Sequence, residues 1–219
     1  MSTSGKSSNI LRGAALLSAV LALAAGYQLA DYLLGKPPDL SGLHATVFST
    51  PRDIQPFSLV DHTGNTFDNR SLEGRWSFVF FGYTHCPDVC PTTLSVLNSV
   101  ARNLGDSKDR TQFVFISIDP GRDTPEKLGQ FVAYFNGAFI GATGTDEAIN
   151  GLTRQLGVLY ARAAENSGPD TTGTDNYLMD HSASVLLFDP DGRFHAVFTP
   201  PLAAADIVSD FKIISDAYR

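Results

Sequence analysis

The stretch Trp76–Leu94, WSFVFFGYTHCPDVCPTTL, decides how the rest of the chain is read. It opens on an apolar run, Trp76–Tyr83, that predicts a buried strand. Pro87 and Pro91 break the run, and a helix is expected from Pro91 to Leu104. Cys86 and Cys90, the chain's two cysteines, stand at this strand-to-helix junction. A bridge between them would close too small a loop to stabilise a fold of this size much, because the effect grows with loop length. They are placed for chemistry instead. Pro91 disfavours the helical region for Cys90 and suits the first helical position, which puts Cys86 in the loop and Cys90 at the helix cap. There the helix N-terminus is expected to lower a thiol pKa. The bland alternative, two small buried hydrophobes, fits a proline-flanked loop less well.

Thiolates so placed either exchange disulfides or hold a metal. A two-residue spacer is the thioredoxin-like redox pattern; here the spacer is Pro87, Asp88 and Val89, which still permits a disulfide and also lets two sulfurs converge on a soft ion. Such an ion wants a further ligand. Of the five histidines, His181 stands out. It lies just ahead of an apolar strand, Ala183–Phe188, whose expected hairpin partner is Arg193–Phe198 across the Asp189–Gly192 turn. An ordinary surface histidine is the competing reading.

Four blocks, FVFFGYTHCPDVCPTTL, VFISIDPGRDTPEKL, GATGT and YLMDHSASVLLFDPDGRF, together resemble the SCO/SenC family of copper-binding, thioredoxin-like proteins. The resemblance runs from about Pro51 to the C-terminus with the blocks in the family's order. It implies that Cys86, Cys90 and His181 are copper ligands and that Cys86 and Cys90 can also form a redox-active disulfide. The cargo it implies is copper as Cu(I), with Cu(II) as the alternative oxidation state. The family is implicated in building the binuclear copper centre of cytochrome c oxidase. The implied partners are the copper-binding subunit of that oxidase, an upstream copper donor and a thiol reductant.

The chain has 219 residues, 43% of them hydrophobic, and a net charge of −7. One α/β domain with a substantial core fits that length. The acidic balance argues against nucleic-acid binding. No phosphate-binding glycine loop, helical metalloprotease motif or internal repeat occurs.

Gly13–Ala30 is apolar or small and uncharged, bounded by Arg12 and Asp31. It reads as a transmembrane helix over residues 10–34, behind a cytoplasmic tail of residues 1–9. A cleaved signal peptide and a core helix are the alternatives. Lys6 and Arg12 precede the span, so the domain is expected across the membrane. The short leader favours the bacterial inner membrane and periplasm over the mitochondrial inner membrane, with the domain on the intermembrane-space side. That compartment permits disulfides, so the cysteines must be kept reduced before Cu(I) loads.

Residues 35–50 read as a tether, and residues 51–219 as the domain. A first hairpin is expected from Phe57–Val60 and Thr66–Asp68. Strands follow at Phe113–Ile118 and Phe139–Ala142, with helices at Thr124–Phe135, Asp146–Leu156 and Leu202–Tyr218. Such alternation argues for an α/β layer with both faces covered; the family resemblance makes it thioredoxin-like. The polar stretch Glu165–Asn176 is expected to be a mobile loop that lets His181 swing.

His85 is expected to act on the neighbouring thiols rather than ligate, and Met179 to pack in the core. Asp88 and Asp180 either orient ligands or are solvated surface carboxylates. Asp119 and Arg122 fit a docking surface or a turn. His44 and His195 carry no functional claim. Three function classes remain: a copper chaperone, a thiol–disulfide oxidoreductase that reduces the client's cysteines before metallation, and a thioredoxin-superfamily peroxidase. Both cysteines serve all three, whereas the metal reading alone needs an imidazole at 181. The peroxidase lacks an activating constellation. A metallochaperone is expected rather than an enzyme.

Overall fold

A computed structural model describes residues 4–34, 40, 42–162 and 177–218. It contains two compact units, residues 1–39 and the domain Leu40–Tyr218.

The first unit holds helix α1, Ser4–Leu34. Among the described residues no helix is long and apolar enough to cross a membrane. A helix is present over the residues 10–34 where one was expected.

In the domain, β1 (Thr46–Arg52) precedes the hairpin β2 (Ser58–Asp61) and β3 (Thr66–Asp68). Then come β4 (Trp76–Gly82), α2 (Val89–Asn103), β5 (Thr111–Ser117), α3 (Pro125–Phe135), β6 (Ile140–Thr143) and α4 (Asp146–Leu156). Two short strands, β7 (Tyr160–Arg162) and β8 (Met179–His181), pair with each other. β9 (Val185–Phe188), β10 (Phe194–Phe198) and α5 (Ala204–Ala217) complete the chain. The main sheet has the order β1-β10-β9-β4-β5-β6-β2-β3. β4, β5 and β6 run parallel, as the intervening helices require; β9 runs antiparallel to β4. This is a mixed α/β, thioredoxin-like fold.

β4 is buried at every residue, so its alternating side chains serve two cores. Phe78 packs against Phe211 of α5, and Phe80 against Phe115, which meets Phe131 of α3. On the opposite face Val79, Ile116 and Phe188 line a small apolar void with Leu152 and Leu156 of α4. Helix ends follow their sequence signals. Thr124 caps α3 by accepting from the Lys127 amide, with Pro125 in the first turn. Thr145 caps α4 at its start, and Gly157, at φ 70°, closes it in the left-handed conformation glycine tolerates.

Two local expectations differ. The stretch read as a tether contains most of β1, which pairs with β10; as an edge strand it accommodates Pro51, whose composition masked it. α2 begins at Val89, behind Asp88, so Cys90 lies inside the first turn and not at the cap. Pro91 is tolerated there because first-turn amides lack intrahelical partners in any case. His181 ends a further short strand, β8, ahead of β9. The expected mobile loop Glu165–Asn176 lies outside the described residues.

Candidate metal centre

The C-terminal end of β4 ends at Gly82, and the chain turns through Tyr83–Pro87 into α2. This turn is held from beneath by a fully buried carboxylate. Asp123 accepts from the Thr84 amide at 2.9 Å, the Thr84 hydroxyl at 2.5 Å and the Ser117 hydroxyl at 2.6 Å. The Cys86 amide donates back to the Tyr83 carbonyl at 3.2 Å. Cys86 is thereby fixed in the loop, half-buried, while Cys90 is fully buried in the first turn of α2. Both are free thiols.

The Cys90 amide points at Cys86 Sγ, 3.4 Å away, so the first turn of α2 offers its donor to the loop sulfur. Cys90 itself experiences the opposite. Burial, the first cause, pushes its thiol pKa well up, and the neighbouring Cys86 and Asp123 add to the rise. The expectation of a lowered pKa at Cys90 is corrected: desolvation of the thiolate outweighs the helix dipole.

His181 reaches the pair from β8. Its Nδ1 lies 3.1 Å from the Ser182 carbonyl. A carbonyl only accepts, so Nδ1 carries the proton and Nε2 is left with its lone pair. Nε2 stands 3.3 Å from Cys90 Sγ. Burial depresses the imidazole pKa despite the opposing Ser182 bond and Asp180 charge, keeping the ring neutral. Edge contacts with Phe80 and Tyr83, ring centres 5.9 and 6.0 Å away, fix its plane.

The ligating atoms of Cys86, Cys90 and His181 lie within 4.8 Å of one another, and no other cluster among the described residues could hold a metal. Two sulfurs and one neutral imidazole form a soft, three-donor set. That set suits Cu(I), whereas structural zinc takes four ligands. Because Cys90 is protonated at rest, loading a metal here must release its proton.

His85 lies beside the site without joining it: its Nδ1 is 3.1 Å from the Thr84 hydroxyl and 3.9 Å from Asp123. Met179 is buried, as expected, and its amide donates to the Tyr83 hydroxyl at 3.1 Å. Asp119 and Arg122 form a close ion pair of 2.5 Å in the loop after β5. Tyr83, Asp123 and Gly82 escaped sequence reasoning. The available signal was a glycine, Gly82, ending an otherwise bulky buried strand.

A thioredoxin-like domain presenting two thiols and an imidazole at one strand-to-helix junction is a soft-metal-binding dithiol protein. The SCO1/SenC family model matches residues 48–215. An SCO2-like protein of Rickettsia prowazekii is 35% identical over 205 residues, covering 94% of this chain and 97% of its own. The structure of Bradyrhizobium japonicum ScoI with copper bound is 35% identical, with a TM-score of 0.63 over 72% of this chain and 96% of that one. That of yeast Sco1 with copper bound is 29% identical, with a TM-score of 0.68 over 77% and 91%. The chain belongs to the SCO1/SenC family. Copper is the metal supported by the donor set and by these copper-bound relatives.

Proposed function

We propose that Cys86, Cys90 and His181 hold one Cu(I) and deliver it to the copper-binding subunit of a cytochrome c oxidase. One observation carries this reading: His181 Nε2 stands 3.3 Å from Cys90 Sγ, with Nδ1 turned to the Ser182 carbonyl. Thiol exchange needs no imidazole there; Cu(I) ligation does. Cys90 is buried while Cys86 and His181 are both partly open, so a client's own sulfur ligand gains access from their side and exchange proceeds one ligand at a time.

The chain acts, in this reading, from the outer face of a bacterial inner membrane, supplied by an upstream copper donor and kept reduced by a thiol reductant. The uncharged run Gly13–Ala30 behind Lys6 and Arg12 supports a membrane anchor, as do the exposed side chains of Leu16, Leu17, Val20, Leu21 and Leu23.

Thiol–disulfide exchange is the second reading, favoured by the Cys90 amide directed at Cys86 Sγ. Cys86 thiolate would attack a client disulfide and form a mixed disulfide. Cys90 would then lose its proton, attack the Cys86 sulfur and release the client dithiol, leaving a Cys86–Cys90 disulfide for the thiol reductant. Deletion of the gene under copper limitation, followed by complementation, separates the two. Copper delivery requires His181→Ala and both cysteine variants to fail in restoring oxidase activity. Full restoration by His181→Ala, with the cysteine variants failing, would establish the reductase instead.

A further inference from the structure

β8 carries His181, yet it is three residues long and its partner β7 is equally short. Two three-residue strands do not hold a ligand in place by themselves. Besides the Met179 amide bond to the Tyr83 hydroxyl, the segment is tied down at its other end. Tyr177 donates its hydroxyl to Asp119 Oδ1. Asp119 Oδ2 accepts from Arg122 Nε, and the Arg122 guanidinium lies over the Tyr177 ring, 3.6 Å from its centre. Arg162, on β7, places a second guanidinium over the same ring at 4.2 Å.

The anchor has a firm foundation. Asp119 is buried, its amide donates to the Ser117 hydroxyl at 3.0 Å, and its carbonyl accepts from the amides of Arg122 and Asp123. Asp123 is the carboxylate that holds the cysteine turn through Thr84. One loop, 119–123, therefore grips both halves of the metal centre: the cysteine side through Asp123, the histidine side through Asp119, Arg122 and Tyr177.

We propose that Tyr177, clamped by Asp119 and Arg122, is a positioning residue that keeps the His181 imidazole over the thiols and thereby sets how slowly copper is released. This rests on the assignment of His181 as a copper ligand. The hydroxyl of Tyr177 touches neither the imidazole nor the sulfurs; it acts by removing the freedom of the Leu178–Asp180 segment leading to His181. Its bond to the Asp119 carboxylate is charge-assisted, a stronger class than a bond between neutral groups.

The test is Cu(I) transfer from the loaded full-length chain to a competing Cu(I) chelator, followed by stopped flow. Tyr177→Phe removes the hydroxyl and keeps the ring, and Tyr177→Leu removes both. Each is made alone and in a His181→Ala background, with the thermal midpoint of the copper-free chains as the folding control. With His181 present, Tyr177→Phe should accelerate release roughly tenfold, the scale of one lost hydrogen bond to a charged acceptor, and Tyr177→Leu at least as much. With His181→Ala, neither change should accelerate release further. Equal acceleration in both backgrounds would show that Tyr177 acts on the thiols or the fold at large, and would overturn the clamp. No acceleration by either variant would overturn it as well. Release unaffected by His181→Ala itself would remove the copper-ligand assignment and the clamp with it. The first two failures leave that assignment standing, so the outcomes are distinguishable.

Discussion

Gly82 and Cys90 share one space at the end of the central strand. A methyl group built on Gly82 would sit 2.7 Å from Cys90 Sγ and 2.8 Å from Phe115 Cε2, closer than nonbonded atoms approach. The missing side chain of Gly82 is what lets Cys90 sink to full burial beneath His181. The depth of the inner sulfur is thus set by a residue with no chemistry of its own.

Gly82→Ala should therefore do two things together. Overpacking against Cys90 and Phe115 is expected to destabilise the copper-free domain by about 1–3 kcal/mol, and displacement of Cys90 Sγ should weaken Cu(I) binding. Urea denaturation and chelator competition check the pair of effects. Gly151→Ala is the control: it lies inside α4 with nothing within 4 Å of an added Cβ. It should stabilise by about 0.5–1 kcal/mol and leave copper affinity unchanged. Wild-type behaviour from Gly82→Ala would show that the sulfur has room to move.

Acid should weaken the β9–β10 turn. Asp189 is fully buried, and burial alone would raise its pKa; the His195 and Arg193 hydrogen bonds outweigh that and hold it below the ordinary carboxylate value. It accepts from the Asp191 and Arg193 amides and from Arg193 Nε. With its folded pKa depressed, its contribution is complete above the unfolded value of about 3.9 and is lost as pH falls through the folded value. Stability measured by urea denaturation from about pH 5 down to about pH 2 should fall with acid more steeply in the wild type than in Asp189→Asn. Parallel pH profiles would contradict the assignment.

The core was legible because its segments are uniform. β4 and β5 are dominated by apolar residues, and α4 was expected at the residues where it lies. β1, β7 and β8 were not. β1 is an edge strand with a polar, proline-containing sequence, and the other two are too short to show a period. Cys86 and Cys90 announced themselves by type and spacing. His181 lies 91 residues from Cys90, so its place ahead of an apolar strand made it only a candidate, and the family resemblance made it a ligand. The raised pKa of Cys90 was out of reach for a different reason: it comes first from burial in the folded core, which no local pattern shows. Asp119 and Arg122 were noticed as a docking surface or a turn; their bond to Tyr177 is a tertiary fact that no local pattern encodes.

The coordination of Cu(I) in the loaded full-length chain, read by X-ray absorption at the copper edge, tests the central assignment most directly. Two sulfur scatterers and one imidazole nitrogen are expected at one copper per chain. His181→Ala should lose the nitrogen and keep both sulfurs, while Cys86→Ser/Cys90→Ser should bind no copper. An unchanged copper content in the double cysteine variant, or an unchanged nitrogen shell in His181→Ala, would contradict a centre built from Cys86, Cys90 and His181.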